Sequence, residues 1–353
     1  MEAGNMRRRR FISAAAAAGV SAASTAGAST AFRACAGLAG AMGLGIRRAS
    51  ARDAYPSRAL TLIVPFSPGS SVGINARLLQ PYLERTLGQS IALSFIQGAG
   101  GLAGHLLGAE AAADGYTLTL VSASLTTQPW LNRAATAKPD DFAFIGQVTA
   151  LPSVLLVRAD SPYQTLADLV TALRAAPESL TSGTLVGWWP PALAYALLTT
   201  QAAIKPRVVS SYYSGAELVV ALSQGQLDFV VVGLADVGPS LAAGELRALA
   251  VSGRTPALPA ARSFREQGWN VTTAWWRGLA APAETPVEVI GLLDAALRRA
   301  LGSAELGVDF GRSGLPVDPL DAAAFGKFVL DEYQTIGGLF SLLGLNVRVS
   351  KPT

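Results

Sequence analysis

From residue 60 onward the chain alternates short continuous apolar runs with longer segments in which apolar residues return every three or four positions. Runs at 60–66, 91–96, 117–121, 154–157, 207–211, 229–232, 246–251 and 279–281 predict strands. Segments at 74–86, 102–112, 166–175, 192–202, 217–224, 286–301 and 321–343 predict amphipathic helices. Continuous apolar strands separated by crossovers long enough for helices imply an α/β fold with parallel sheets covered on both faces. Gly88 and Gly225 stand where helix C-terminal caps would fall. Nothing repeats at a short period, and no polar linker divides the chain. Two places break the rhythm: Leu151-Pro152-Ser153 before one strand, and Trp275-Trp276-Arg277-Gly278 after the second block of units.

The stretch VPFSPGSSVGINAR, Val64 to Arg77, runs an apolar strand through a small-residue loop into a helical segment. Such a loop aims backbone N–H groups at whatever lies over the helix N-terminus. The phosphate-loop spacing G-x-x-x-x-G-K-[ST] is absent, as is G-x-G-x-x-G. A bare tight turn is the alternative reading.

Length and composition narrow the class. The 353 residues are 50% hydrophobic and 15% charged, enough for a large core in about two domains and incompatible with disorder. The net charge of +4 suggests a polyanion partner only until it is located. Residues 1–51 hold seven of the 28 Lys and Arg and one of the 24 acids, which leaves residues 52–353 at −2. A nucleic-acid partner has no electrostatic support. The basic excess belongs to MRRRRFISAAAAAGVSAASTAGAS, whose basic cluster and weakly apolar continuation read as an export leader. Arg8-Arg9-Arg10-Phe11-Ile12 fits the twin-arginine pattern. Residues 1–51 are therefore expected to be cleaved, after Ala51 in preference to Ala28, and the protein to reach the periplasm. Cys35, the sole cysteine, lies in this leader, so the mature chain would have no disulfide and no thiolate.

Catalytic and metal chemistry find little purchase. His105 is the only histidine, and no cluster of histidine, cysteine or paired carboxylates has ligand spacing. A solvated position on its helix is the expectation for it. The nucleophile elbow Gly-x-Ser-x-Gly is missing, and a single histidine would have to serve any Ser–His–Asp arrangement. No enzyme, no metal and no cofactor is the reading. Asp228 is expected as a turn or strand-end acceptor.

The ordered fragments Tyr55-Pro56-Ser57-Arg58, Val64-Pro65-Phe66-Ser67-Pro68-Gly69, Gly98-Ala99-Gly100-Gly101, Asp114-Gly115-Tyr116-Thr117 and Gly225-Gln226-Leu227-Asp228 resemble one family. Gly244-Glu245-Leu246-Arg247-Ala248-Leu249-Ala250-Val251 and Trp276-Arg277-Gly278-Leu279-Ala280-Ala281-Pro282 continue the match. The family is that of the Bug-type extracytoplasmic receptors of tripartite tricarboxylate transporters, and the likeness spans about residues 54–350. It implies a two-lobed, type II-like periplasmic binding protein fold with a central cleft. The cleft would close on a small organic acid, which the receptor hands to membrane permease subunits. Lobe one would comprise residues 54–151 and 276–353, and lobe two residues 152–275. A sensor that shows the ligand to a signalling partner is the alternative.

The resemblance also assigns a site. The loop from Ser67 and Pro68 to Gly73 would cradle a carboxylate with backbone N–H groups, Gly69, Ser70 and Ser71 allowing close approach and the two hydroxyls donating directly. Ser122, Ser124, Thr126 and Thr127 form a second ligand loop. A third runs from Ser182 through Thr184 to Trp188 and Trp189, and Tyr213 and Ser214 occupy a fourth. Departures from the family pattern point to the ligand. Ser70 replaces a glycine, Gly73 an aspartate, Pro191 a histidine, and Tyr213-Ser214 removes a lysine. Two tryptophans stand where small polar residues are usual. The expected ligand is a carboxylate on an aromatic or apolar body.

Overall fold

The computed structural model describes residues 55–132, 137–253, 255 and 257–345; the export leader, its cleavage point and Cys35 lie outside them. The elements run β1 (Leu60–Val64), α1 (Ser71–Leu87), β2 (Ile91–Phe95), α2 (Leu102–Ala109), β3 (Thr117–Ser122), α3 (Ser124–Leu131), β4 (Phe142–Arg158), α4 (Leu166–Ala175), β5 (Thr181–Leu185) and α5 (Pro190–Gln201). They continue with β6 (Arg207–Tyr212), α6 (Gly215–Ser223), β7 (Phe229–Gly233), α7 (Gly238–Ala242), β8 (Leu246–Val251), β9 (Ala274–Pro282), α8 (Val287–Leu301), α9 (Ala304–Arg312), β10 (Val317–Leu320) and α10 (Ala322–Leu342).

The strands follow the order β2-β1-β3-β9-β4-β7-β5-β6, with β8 and β10 also pairing β4. Both ends are parallel, β1 with β2 and β3, and β5 with β6 and β7. The middle is antiparallel, which corrects the all-parallel expectation: β9 opposes β3 and β4, and β4 opposes β7 and β8. A short apolar run carries no sign of strand direction, and here β4 spans 17 residues without a helix to reverse it. Residues 142–152 of β4 pair with β9, while 153–158 lie between β7 and β8. One strand thus stitches two sheets. At the joint, Ser252 Oγ accepts from the Ser153 N–H at 2.8 Å and donates to the Thr273 carbonyl at 2.6 Å.

Both faces are covered. In β4, Leu155 and Val157 enter one core with α4 and α5, while Val154 and Leu156 enter another with α6. Phe229 and Val231 of β7 alternate with Val230 and Val232 in the same way, as a period of two requires. Leu60, Leu62 and Leu118 pack with Leu79 and Leu83 of α1 and Leu297 of α8. The last helix crosses between these packs. Phe325 and Val329 of α10 meet Trp276, whereas Ile336, Leu339 and Phe340 enter the core of α4 and α5. Asp228 behaves as expected, its Oδ2 accepting from the Thr181 N–H at 2.6 Å and the Thr181 hydroxyl at 2.7 Å.

His105 overturns its expectation: it is fully buried, and burial pushes its imidazole down to about 3, so it is neutral. Glycines on either side of it explain the difference. A Cβ at Gly104 would lie 2.6 Å from the Pro65 Cα, and one at Gly108 would collide with Thr119. Helix α2 therefore settles onto the strands, carrying His105 inward.

Candidate functional site

The loop after β1 is organised around Ser70. Its Oγ accepts from the Gly73 N–H at 3.0 Å and donates to the Ser67 carbonyl at 2.7 Å, forming the N-cap of α1. That use removes its only proton from ligand binding, which corrects the expectation that both loop hydroxyls donate outward. Gly73 is buried under the loop, where a Cβ would fall 2.6 Å from the Pro68 carbonyl oxygen. No side chain fits there, so the aspartate of the family pattern has no room.

Ser71, the next residue, turns outward and meets Arg277 of β9. The Arg277 Nη2 donates to Ser71 Oγ at 2.7 Å, while its Nε and Nη1 have no hydrogen-bond partner among the described residues. Arg277 is only 5% exposed, and burial pushes its guanidinium down to about 10, so it remains charged at neutral pH. A buried cation without a counter-charge costs several kcal/mol. An anion brought into this site would offset that cost.

Around Arg277 lies a cavity of about 200 Å³. Its walls are mainly aromatic: Phe66 and four of the chain's six tryptophans, Trp188, Trp189, Trp275 and Trp276, line it. The indoles of Trp189 and Trp275 stack with centroids 5.4 Å apart, and Trp188 stands edge-on to Phe340 at 4.9 Å. Three helices start at this cavity, α1 with Ser71 and Val72, α3 with Ser124, and α5 with Pro190. Their N-terminal ends carry partial positive charge and add to the field of Arg277. Ser122 and Ser124 face each other with hydroxyls 3.1 Å apart; one donates to the other, so one proton of the pair stays available. Past the Trp189–Trp275 stack a second compartment of about 620 Å³ shares Ser71, Trp189, Trp275 and Arg277 with the first.

Of the residues named from sequence, Ser70, Ser71, Ser122, Ser124, Trp188 and Trp189 line the first compartment, and Tyr213 and Ser214 the second. Ser67, Pro68, Gly69 and Gly73 support the loop without lining either compartment. Thr126 points away: its hydroxyl donates to the Glu332 carboxylate at 2.8 Å, and Thr127 lines the cavity instead. Thr184 faces a separate groove with Thr199 and Tyr195. Arg277, Trp275, Trp276 and Asp236 are the residues that sequence reasoning did not place in the site. An arginine inside the apolar strand AWWRGLAAP was the available signal for the first.

Behind the cavity, Glu332 of α10 is 3% exposed and accepts from the Trp276 Nε1 at 2.6 Å as well as from Thr126. Burial raises its carboxyl to about 7 against the pull of these donors and the Ala274 N–H. Glu332 fixes the Trp276 ring edge away from the cavity. Among the described residues no group of histidine, cysteine and acidic side chains could hold a metal ion.

The tripartite tricarboxylate transporter family receptor profile matches residues 75–345. A protein of the tcbD-tcbE intergenic region of Pseudomonas sp. (strain P51) is 31% identical over 281 residues, 78% of this chain and 83% of its own. A TctC solute binding protein from Polaromonas superposes with a TM-score of 0.77 at 25% identity, covering 82% of this chain and 99% of that one. A protein of R. palustris solved with adipate gives 0.56 at 26% identity, over 82% and 98%. The chain belongs to the tripartite tricarboxylate transporter receptor family and is an extracytoplasmic solute-binding receptor, not an enzyme.

Proposed function

We propose that this receptor captures a small organic carboxylate with an aromatic or otherwise apolar body in the periplasm and delivers it to a tripartite tricarboxylate-type permease. The carrying observation is Arg277, a buried guanidinium with two unpartnered nitrogens in a cavity walled by four tryptophans. The carboxylate sits between Arg277, the Ser71 hydroxyl, the Ser122–Ser124 pair and the α1 and α3 N-termini. The body lies against the indoles. A carboxylate in this dry site gains charge-assisted hydrogen bonds, and an apolar body recovers roughly 1–3 kcal/mol by area and ring contact. Citrate would bring two further charges to a cleft with one cation, and burying them unpaired costs more than that.

In this reading lobe one, 54–151 and 276–353, and lobe two, 152–275, close over the ligand by bending where β4 and β9 cross. The pairing of one β4 segment with β9 and of the next with β7 and β8 supports a joint near Pro152–Ser153. The leader 1–51 directs export and is removed, which the mass of the periplasmic protein reads directly.

A thermal-shift screen of organic acids, followed by calorimetry, tests the ligand class. Phenylacetate should bind, citrate should bind at least tenfold more weakly, and Trp189→Ala should weaken the first. Tight citrate binding indifferent to Trp188→Ala and Trp189→Ala would reject it.

A further inference from the structure

The second compartment is bounded by the start of α6, and its only charged lining residues among those described are Arg277 and Asp236. These two do not pair. Arg277 makes its one hydrogen bond to Ser71, and two of its nitrogens have no partner. The Asp236 carboxylate is instead packed against the first residue of α6, where a methyl group on Gly215 would collide with it. It also lies beside Gly233, where a Cβ would be 3.1 Å from Asp236 Oδ2 and 3.5 Å from Trp275 Nε1. Partial burial raises the Asp236 carboxyl pKa above its ordinary value, against a smaller opposing pull from the nearby Gly233 N–H.

The placement has a consequence for the far end of a ligand. Helix α6 is nine residues long, and its N-terminal end, capped by Ser214, opens on this compartment. Such an end would attract a ligand's second carboxylate. Here the protein's own carboxylate already occupies that position. A dicarboxylate held by Arg277 in the first compartment would bring its other charge into the compartment lined by the exposed Asp236, and like charges brought close together repel.

We propose that Asp236 makes this cleft a monocarboxylate site, with one ligand carboxylate on Arg277 and an uncharged or hydrogen-bond-donating far end beside Asp236. The inference rests on the reading of the cleft as a carboxylate site and adds a rule of selection, since a discriminating site gains as much from repelling the wrong ligand as from holding the right one.

Hexanoate and adipate provide the test, because they share a six-carbon chain and differ by one carboxylate. Calorimetry at neutral pH should show the wild-type protein binding hexanoate at least about tenfold more tightly than adipate. Asp236→Asn keeps the shape and removes the charge. It should raise adipate affinity about tenfold or more and so remove most of the preference for hexanoate. Asp236→Ser serves as a second variant if the first folds poorly, with folding checked by circular dichroism. Equal or tighter binding of adipate by wild type would overturn the proposal, as would a hexanoate preference that survives both substitutions. Binding of neither acid by wild type would overturn the proposal, and phenylacetate binding in the same titration would leave the carboxylate reading of the cleft standing.

Discussion

The indole of Trp189 lies on that of Trp275, with 5.4 Å between centroids and 25° between planes. The contact joins the loop ahead of α5 to the strand β9, and both rings line both compartments. Trp188, one residue earlier, turns instead to Phe340 and the core around α4 and α5.

Two neighbouring tryptophans should therefore give different phenotypes. Trp189 is 41% exposed, and Trp189→Ala should weaken phenylacetate binding by roughly 1–2 kcal/mol with little change in melting temperature. Trp188→Ala should lower ligand-free stability by about 2–4 kcal/mol and weaken binding as well. Scanning fluorimetry with and without phenylacetate separates the two. A stability loss confined to Trp189→Ala would contradict the assignment.

Arg277 predicts a trade of stability against function. Its buried charge has no ion pair among the described residues, so Arg277→Met should raise the melting temperature of the ligand-free protein by about 2–6 °C, the equivalent of about 1–3 kcal/mol. A lower melting temperature would mean that the Ser71 hydrogen bond outweighs the cost of burying the charge.

Glu332 predicts a pH dependence of stability. Its carboxyl rises from 4.5 to about 7 on folding, so the folded protein binds its proton more tightly than the unfolded chain does. The stabilisation is complete below about pH 4.5 and is lost as pH rises through about 7, a change of order 3 kcal/mol. The difference in stability between wild type and Glu332→Gln, from denaturant melts across that window, isolates this contribution and should show the decline. His105 works the other way in part of that window: the unfolded imidazole takes up a proton below pH 6.5 while the buried one stays neutral down to about 3, so its contribution to stability grows as pH rises to 6.5. An unchanged slope in Glu332→Gln would assign the dependence to other groups.

Much of this architecture was legible from apolar periodicity, and the parts that were not share a cause. Strands β1, β3, β7 and β8 and helices α1, α4, α8 and α10 have strong periods and appear where expected. The first half of β4 did not, because Gly146, Gln147, Thr149 and Pro152 interrupt its apolar run while pairing with β9 satisfies its backbone. Strand β5, with the sequence TSGTL, and β10, with VDPL, have too few apolar residues to announce themselves. Helices α3 and α9 were missed as well, α3 carrying an internal proline. In the site, the loop hydroxyls and the tryptophans that line the cavity were named through the family resemblance, which aligns them with its ligand loops. Arg277 and Asp236 were not, because their meaning depends on which strands and helices the topology brings together. Burial by elements distant in sequence is what leaves two nitrogens of one guanidinium without a partner among the described residues.

The central claim is that the cleft holds a carboxylate on Arg277. Isothermal titration of phenylacetate into the wild-type protein and into Arg277→Met, at neutral pH and fixed salt, tests it most directly. The account predicts one ligand per wild-type chain and a loss of roughly 2–5 kcal/mol in the variant, a drop of about 30-fold or more in affinity. Equal affinity in the two proteins would contradict it.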